Sequence, residues 1–433
     1  MADEKERISA QEETVAAQEL ENAVKDKLFE RYGDNIPLPV SERVNSELKE
    51  MRRQGCAQKF LSLSHLSDNE NCNTNHAILR GTDSNYEILF QLGITELDPM
   101  ERHIMCNACG HWEQSAKALF EADVCPNCGS PVVAEGLGLP YADIAISKLE
   151  SELSVSSQTG CCYTECLKAL NQKIVFESLL KQYGSHAAFE SNDSIAVCFY
   201  PHTGLNLISA CEEETGIPAK NISLSAPEVY EFISSLIKDS FKEQQSLAVI
   251  ACKEFGLEEY AEFIPAGIED IWQDHLSCMP MSNFDELVSL WGLLHGTGTF
   301  FENGEELVKK NVISARQILC CREDVLDYLI SHGMDINAAT QIMECLRKGK
   351  VHSKSRLGDG ICGFTHKQWV ALDSCGVEAW FIESCQKIKY LFPRGHCAAF
   401  SANLVRLLWY VIHTPEAAEK AFASICKDNV CTA

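Results

Sequence analysis

Residues 105–129 read MCNACGHWEQSAKALFEADVCPNCG, and the cysteines in this stretch predict the local structure. Four cysteines in it follow the pattern C-x2-C-x15-C-x2-C: Cys106, Cys109, Cys125 and Cys128. Two thiolate pairs at this spacing suit one tetrahedral Zn²⁺, and four sulfur ligands leave no coordination position open for water. The pattern therefore predicts a zinc ribbon in which the ion has a structural role, with Gly110 and Gly129 closing the two turns.

A pair of redox-active C-x2-C motifs is the alternative interpretation of these cysteines. Such motifs need a thioredoxin-like strand and helix around each pair, whereas here a glycine follows each pair directly. The spacing therefore favours a metal. Most of the other cysteines, out of 22 in the chain, are expected to be small buried apolar residues in a reducing compartment.

Composition places the chain among ordinary globular proteins. Its 433 residues, 45% of them hydrophobic, can form two to four packed units. The charged start MADEKERISAQEE is unlike a signal peptide, and no apolar run approaches the length of a membrane helix. We therefore expect a cytoplasmic protein that makes no membrane contact.

The net charge of −25 argues against a chain built throughout to neutralise nucleic-acid phosphates. The acidic residues are unevenly distributed, however. Residues 301–433 carry 16 Lys and Arg against 15 Asp and Glu, so the preceding residues hold the whole excess of acid. Any basic groove is therefore expected in the last third of the chain.

Hydrophobic periodicity outlines the organisation of the chain. Residues 1–30 have apolar residues at helical spacing and predict an exposed helical arm. Short strands are predicted at 142–146 and 195–200, and beyond Gly216 the pattern is mainly helical with a break at 349–363. Apolar stripes on the later helices predict a packed core and include the following residues: Ile330, Ile342, Met343, Leu346, Leu404, Leu407, Leu408 and Val411.

Several segments resemble one family of enzymes in their order along the chain. The stretches ARQILCCREDVLDYLISHGMDINAATQIMECLRKGK (315–350) and AWFIESCQKIKYLFPRGHCAAFSANLVRLLWYVIHTP (379–415) resemble the fingers region of PolC-type bacterial DNA polymerase III alpha subunits. GLLHGTGTFFENGEELV (292–308) is similar to a loop of the same family, and the cysteine ribbon stands where the family has one within its palm. The resemblance runs from about residue 28 to residue 420.

The resemblance implies an α+β fold with a reduced nucleotidyltransferase-like palm, an inserted zinc ribbon and a mainly helical fingers region. The implied boundaries are an arm at 1–30, palm-like segments at 31–102 and 136–215, the ribbon at 103–135, and fingers at 216–433. The family's exonuclease, PHP and clamp-binding modules have no counterpart in the sequence, so no sliding-clamp module is expected.

The family's palm uses three aspartates to hold two Mg²⁺ ions, and these positions are altered here. The first two aspartates stand in a P-D-I-D motif, which corresponds to Ala142-Asp143-Ile144-Ala145. The position of the third falls on Cys198. The resemblance therefore implies that Asp143 is the sole surviving candidate, with Ala145 and Cys198 at lost positions, and that Mg²⁺ is a cofactor only if the palm is active.

Other residues correspond, by the resemblance, to positions at which the family contacts phosphates and bases. In the segment ILRGTDSNYE (78–87), Arg80 matches the family's phosphate loop, whereas Asp83 and Glu87 add negative charge there. The fingers surface that would meet a nucleotide or the template contains these residues: Arg347, Lys348, Lys350, Lys387, Lys389, Tyr390, Arg394 and His396. Lysine and arginine at helical spacing beside an aromatic ring can bind phosphates and stack a base.

Three functional hypotheses follow from the sequence. The first is an inactive pseudo-polymerase that binds primer-template DNA, a nucleotide or replication proteins. The second is a minimal nucleotidyltransferase whose missing ligands come from elsewhere, with these candidates: Asp123, Glu135, Glu150 and Asp193. The third is an acidic protein-interaction module with vestigial fingers.

Overall fold

The computed structural model describes residues 2–55, 57, 60–61, 77–80, 85–139, 152–155, 198–201, 203–238, 247–257 and 281–429. The chain divides into two compact units. The first contains residues 1–221 and 416–433, and the second contains residues 222–415. None of the helices in the described ranges combines the length and the apolar character needed to cross a membrane.

The described helices are α1 (Ala2–Tyr32), α2 (Leu38–Gln54), α3 (Glu87–Gln91), α4 (Thr203–Thr215), α5 (Pro227–Lys238), α6 (Leu247–Glu254), α7 (Phe284–His295), α8 (Glu305–Lys309), α9 (Arg322–Ser331), α10 (Ile336–Arg347), α11 (Lys350–Leu357), α12 (His366–Ser374), α13 (Ala379–Lys387), α14 (Arg394–His413) and α15 (Pro415–Asn429). The described strands are β1 (Ala77–Arg80), β2 (His103–Met105), β3 (Trp112–Gln114), β4 (Ala122–Val124), β5 (Pro131–Glu135), β6 (Glu152–Val155) and β7 (Cys198–Pro201). This mixture of helices and small sheets agrees with the predicted α+β class.

From residue 14 onward, helix α1 is packed along one side, in contrast to the exposed arm predicted at 1–30. Leu20, Val24 and Leu28 are between 0% and 4% exposed and belong to the same apolar cluster as Val44 and Met51 of α2. Two amphipathic helices joined by a short turn can bury their apolar stripes against each other. The sequence pattern of α1 identified the stripe correctly but not the surface that covers it.

A buried carboxylate connects α2 to α3. The side chain of Glu47 is fully buried and accepts hydrogen bonds from the backbone N–H groups of Glu87 at 3.0 Å and Ile88 at 2.9 Å. Arg43 donates through Nε to the same carboxylate at 2.7 Å and through Nη1 to the carbonyl of Leu139 at 3.1 Å. Glu47 therefore supplies acceptors for the first amides of α3 and orients the arginine that contacts the end of the ribbon segment.

We expect Glu47→Ala to lower the free energy of unfolding by about 3 kcal/mol, because it leaves the Arg43 charge and two buried amides without their acceptor. Glu42→Ala, at an exposed position of the same helix, is the matched control and should change stability by less than about 0.5 kcal/mol. Urea unfolding followed by circular dichroism measures both. Equal stability of the two variants would contradict this role of Glu47.

The described strands of the first unit form two small sheets. The ribbon sheet has the order β3-β2-β5-β4, with every neighbouring pair antiparallel. The second sheet has the order β1-β6-β7, in which β1 is antiparallel to β6 and β6 is parallel to β7. The strand predicted at 195–200 corresponds to β7, whereas the strand predicted at 142–146 lies outside the described residues.

The second unit is helical in its described ranges. Helix α14 packs on α7, and its Leu404, Leu407 and Leu408 are fully buried as predicted. Helices α9 and α10 pack on each other, with Leu346 buried as predicted, but Ile330 is 40% exposed. The predicted break at 349–363 contains the short helix α11, which begins after one glycine and ends before another.

Candidate metal centre and basic surface

The four cysteines lie in two turns of the same construction. The backbone N–H of Gly110 donates to the carbonyl of Cys106, and the N–H of Gly129 donates to the carbonyl of Cys125, each at 2.8 Å. Each turn follows a strand of the ribbon sheet and precedes another. The sheet therefore brings the two cysteine pairs together although 15 residues separate them along the chain.

The sulfur atoms have the spacing of a tetrahedral metal centre. Cys106 Sγ lies 3.5 Å from Cys128 Sγ, and Cys109 Sγ lies 3.6 Å from Cys125 Sγ. All four lie within 4.8 Å of one another. An ion with metal–sulfur bonds of about 2.3 Å separates its ligands by about 3.8 Å in a tetrahedron. The cysteines therefore fit one metal ion with little movement.

Neighbouring polar groups favour thiolates at two of the four positions. Ser130 Oγ lies 3.3 Å from Cys128 Sγ, and its hydroxyl, able to donate to the thiolate, lowers the pKa of Cys128 to about 6. The Asn127 side-chain amide donates to Cys109 Sγ at 3.4 Å and lowers the pKa of that thiol. Burial raises the pKa of Cys106 to about 11, so this thiol needs the metal for deprotonation.

We expect Cys109→Ser to remove the ion bound by the four cysteines and to lower the melting temperature by several degrees. Removing one of four thiolates weakens the centre, and the ribbon depends on the ion. Metal content by mass spectrometry and melting by calorimetry measure these effects. Cys362→Ser, at an exposed cysteine outside the ribbon, is the control and should keep the ion. Full metal content in Cys109→Ser would refute the assignment.

The palm-like positions are described only in part. Asp143 and Ala145 lie outside the described residues. Cys198 begins β7, where its Cα pairs in register with that of Glu152, and Glu152 in turn pairs with Arg80 of β1. The register therefore places Glu152 between Arg80 and Cys198, two positions that the resemblance identified. These residues are far apart in the sequence, so the sequence alone did not predict that they are neighbours.

Glu87 does not add an exposed negative charge, in contrast to the expectation from the sequence. Its side chain is buried at the start of α3, and Gln91 Nε2 donates to Glu87 Oε1 at 2.6 Å. Burial raises the pKa of Glu87 well above its usual range, with Asp98 adding to the effect. Glu87 therefore belongs to the interior of the first unit and adds no exposed charge beside Arg80.

Residues 387–390, which we call the basic segment, are joined by backbone hydrogen bonds to the loop after α7. The N–H of Thr297 donates to the carbonyl of Tyr390 at 3.0 Å, and the N–H of Lys389 donates to the carbonyl of Thr297 at 2.8 Å. This two-way pairing is a short antiparallel bridge. It fixes the direction in which the basic segment runs past the loop.

Two glycines allow the backbone of the basic segment to lie close to two neighbouring loops. A Cβ on Gly298 would lie 2.3 Å from the carbonyl oxygen of Lys387, and a Cβ on Gly349 would lie 2.5 Å from that of Lys389. Both glycines have left-handed backbone conformations, with φ of +74° and +63°. Only glycine meets both conditions without moving the segment.

The lysines of the candidate surface differ in their partners. Lys348 Nζ lies 3.3 Å from Glu344, and Lys387 Nζ lies 3.9 Å from Glu306 and also donates to the carbonyl of Glu302. Arg347 Nε likewise contacts Glu344, at 2.5 Å. By contrast, the exposed Lys350 and Lys389 form no ion pair with any residue that the structure describes. These two are the lysines most available to a bound anion.

Arg394 is committed to contacts within the second unit. Its Nη2 lies 2.7 Å from Asp324 Oδ1 and 2.6 Å from Asp327 Oδ2, and its backbone N–H donates to Glu323 at 2.8 Å. Burial alone would lower the pKa of Arg394, but these carboxylates outweigh burial and raise it well above its usual value. The guanidinium therefore holds the start of α14 to α9.

His396 lies in an array of aromatic rings beside the basic segment. Its ring stacks on Phe400 with centroids 4.6 Å apart and lies 5.4 Å from Trp291. Phe392 contacts both His396, at 5.2 Å, and Tyr390, at 5.5 Å. Tyr390 itself is 38% exposed. The array thus connects an exposed aromatic ring to the buried core around α7 and α14.

Comparison with known proteins agrees with the resemblance seen in the sequence. Residues 18–187 match the family model described as the bacterial DNA polymerase III alpha NTPase domain. The chain is also similar to curated proteins named DNA polymerase III PolC-type. The one from Caldanaerobacter subterraneus subsp. tengcongensis is 24% identical over an alignment that covers 96% of this chain and 34% of the relative.

Two further relatives give the same result. The PolC-type polymerase of Thermotoga maritima is 24% identical and covers 94% of this chain. That of Bacillus subtilis is 23% identical and covers 88% of it. The alignments cover 35% and 31% of these relatives. The chain therefore spans about a third of the length of the curated relatives it matches.

Proposed function

We propose that this chain is a catalytically inactive member of the PolC-type DNA polymerase III alpha family and that it acts by binding primer-template DNA. The observation that carries the proposal is the loss of two expected metal ligands, with Ala145 and Cys198 at the positions of the family's aspartates. The same proposal includes binding of a nucleotide or of a replication protein.

The loss of these ligands would prevent two-metal catalysis of nucleotide transfer. Two Mg²⁺ ions about 3.5–4 Å apart activate the primer oxygen and stabilise the leaving pyrophosphate. Both ions need several hard oxygen ligands, and neither a methyl group nor a thiol supplies one. Asp143 alone cannot hold the pair with useful affinity.

The basic surface supports a binding role. Lys350 and Lys389 are exposed, and Tyr390 presents part of its ring beside them. Lysines bind phosphate oxygens, and an exposed ring stacks on an unpaired base. Gly349, which immediately precedes Lys350, lies against the Lys389 backbone, so both lysines belong to one surface of the second unit.

We further propose that the ion held by the four cysteines is Zn²⁺ and that its role is structural. A set of four thiolates in tetrahedral arrangement favours zinc among the common divalent ions. The set leaves no open coordination position, so no hydrolytic or transfer step is assigned to this ion.

We expect no primer extension by this protein above the level of its Asp143→Ala variant, with either Mg²⁺ or Mn²⁺. The reason is that one carboxylate does not assemble a two-metal centre. A gel assay with labelled primer-template and all four deoxynucleotides measures extension, and an active PolC-type polymerase is the positive control. Nucleotide incorporation that Asp143→Ala abolishes would overturn the proposal of inactivity.

We expect primer-template DNA to bind with an affinity that falls as salt rises, and Lys350→Glu/Lys389→Glu to weaken binding at least tenfold. Each phosphate contact contributes a slope of about 0.9 in the logarithmic salt dependence, so losing two should reduce the slope by about 2. Fluorescence anisotropy measures both quantities.

Lys367→Glu reverses the charge of an exposed lysine on α12 and is the matched control for the single variants Lys350→Glu and Lys389→Glu. It should bind DNA like the unaltered protein. Absence of DNA binding at low salt would refute the DNA-binding proposal and favour the acidic protein-interaction module. Equal weakening by the control would mean that overall charge, rather than the basic surface, governs binding.

One observation favours a second candidate function, a nucleotidyltransferase with a relocated ligand. Glu152 pairs in register with both Arg80 and Cys198, so a glutamate occupies the strand position beside the lost aspartate. If extension does occur, Glu152→Gln should abolish it under this hypothesis. Activity that persists in Glu152→Gln would exclude Glu152 as the relocated ligand.

A further inference from the structure

A second group of metal-binding side chains lies at the base of the ribbon, apart from the four cysteines. Asp98, His103 and Glu135 each offer one ligand atom, and these atoms lie within 4.8 Å of one another. His103 begins β2 and Glu135 ends β5, and their Cα atoms are partners in the antiparallel register. Asp98 precedes β2 in the same unit. The ribbon sheet itself therefore brings the group together.

The hydrogen bonding of His103 fixes which ring nitrogen can bind an ion. The side chain is completely buried, and its Nδ1 lies 2.8 Å from the carbonyl oxygen of Glu101. A carbonyl only accepts, so Nδ1 carries the hydrogen and Nε2 of the neutral ring carries a lone pair. A backbone carbonyl in this position is the usual orienting partner of a metal-binding histidine. The ring is also stacked on Trp112, with centroids 5.0 Å apart.

The atoms that face each other across the group have no hydrogen-bond partners among the described residues. These atoms are His103 Nε2 and Asp98 Oδ2, which lie 3.7 Å apart. The Asp98 side chain is 2% exposed, and its other oxygen already accepts from the N–H of Met100 at 2.7 Å. Two buried acceptors facing each other are unfavourable unless something positive lies between them. A metal ion about 2.1 Å from each would satisfy both.

Arg31 occupies one side of the group without filling it. Its Nη2 lies 3.0 Å from Glu135 Oε2 and 3.9 Å from Asp98 Oδ2, and its guanidinium lies over the ring of Phe90. One arginine neutralises one of the two carboxylates. The other carboxylate still attracts a divalent cation.

There is also room for the remaining ligands of an ion. A cavity of about 120 Å³ adjoins the group and is lined in part by Arg31, Asp98, Glu135 and Phe120. A cavity of this size with polar walls can hold water molecules. Three protein ligands and water form a common coordination shell for ions that accept imidazole and carboxylate together.

We propose that Asp98, His103 and Glu135 form a second divalent transition-metal site, of the kind that takes Zn²⁺, Co²⁺ or Mn²⁺. It is separate from the centre of four cysteines and does not depend on polymerase activity or on DNA binding. An ion here joins β2, β5 and the segment before β2, so it stabilises the base of the ribbon. Its ligands are oxygen and nitrogen atoms, which distinguishes it spectroscopically from the thiolate centre.

The test is a titration of the metal-free full chain with Co²⁺, accompanied by measurement of metal content. We expect two ions per chain, one giving intense thiolate-to-cobalt absorption and the other only weak visible bands. Asp98→Asn and Glu135→Gln should each lower the affinity for the second ion at least tenfold and leave the thiolate absorption unchanged. Cys109→Ser should abolish the thiolate absorption and leave the affinity for the second ion unchanged.

Glu101→Gln, at an exposed side chain in the same segment, is the matched control and should keep both ions. The thiolate absorption also reports whether the ribbon of each variant is folded. The Glu135 side chain is 33% exposed, so Glu135→Gln should have little effect on the core. A single ion per chain in the unaltered protein would overturn the proposal. A second ion that survives both Asp98→Asn and Glu135→Gln would overturn it as well.

Discussion

The convergence of four sulfur atoms is the constraint on which the ribbon depends. The apolar cluster inside the ribbon consists of five buried residues, and two of them are the ligands Cys106 and Cys125. The other three, Ile104, Val132 and Ala134, bury too little apolar surface to hold four short strands in register. The ion that we propose for the four thiolates would compensate for the small core, because binding free energy becomes folding free energy.

The sequence was sufficient wherever the information is local. The cysteine spacing located the ribbon, and the 3.6-residue periodicity located the helices that supply the core of the second unit, such as α14 with its buried leucines. Both features are written in residues a few positions apart, where the geometry of a turn or of a helix relates spacing directly to position. The segment around Asp143, where the implied palm has its first aspartates, lies outside the described residues.

Features set by distant partners were not predictable in the same way. The stripe on α1 looked exposed because its cover, α2, is known only once the chain is folded. Arg394 looked like a ligand for phosphate, yet it pairs with Asp324 and Asp327 some seventy residues earlier. The group at the base of the ribbon joins His103 to Glu135 through a strand register and includes Asp98 from the segment before β2. No local pattern encodes such pairings, so composition and periodicity cannot reveal them.

The close approach of Gly298 and Gly349 to the basic segment has a thermodynamic consequence. The backbone of residues 387–390 is held by hydrogen bonds on one side and by van der Waals contact at two carbonyls. A ligand that binds Lys389 or Tyr390 therefore orders side chains only, and it does not have to immobilise a loop. Ordering a free backbone costs about 1–2 kcal/mol per residue, so this rigidity reduces the entropic penalty of association before any ligand arrives.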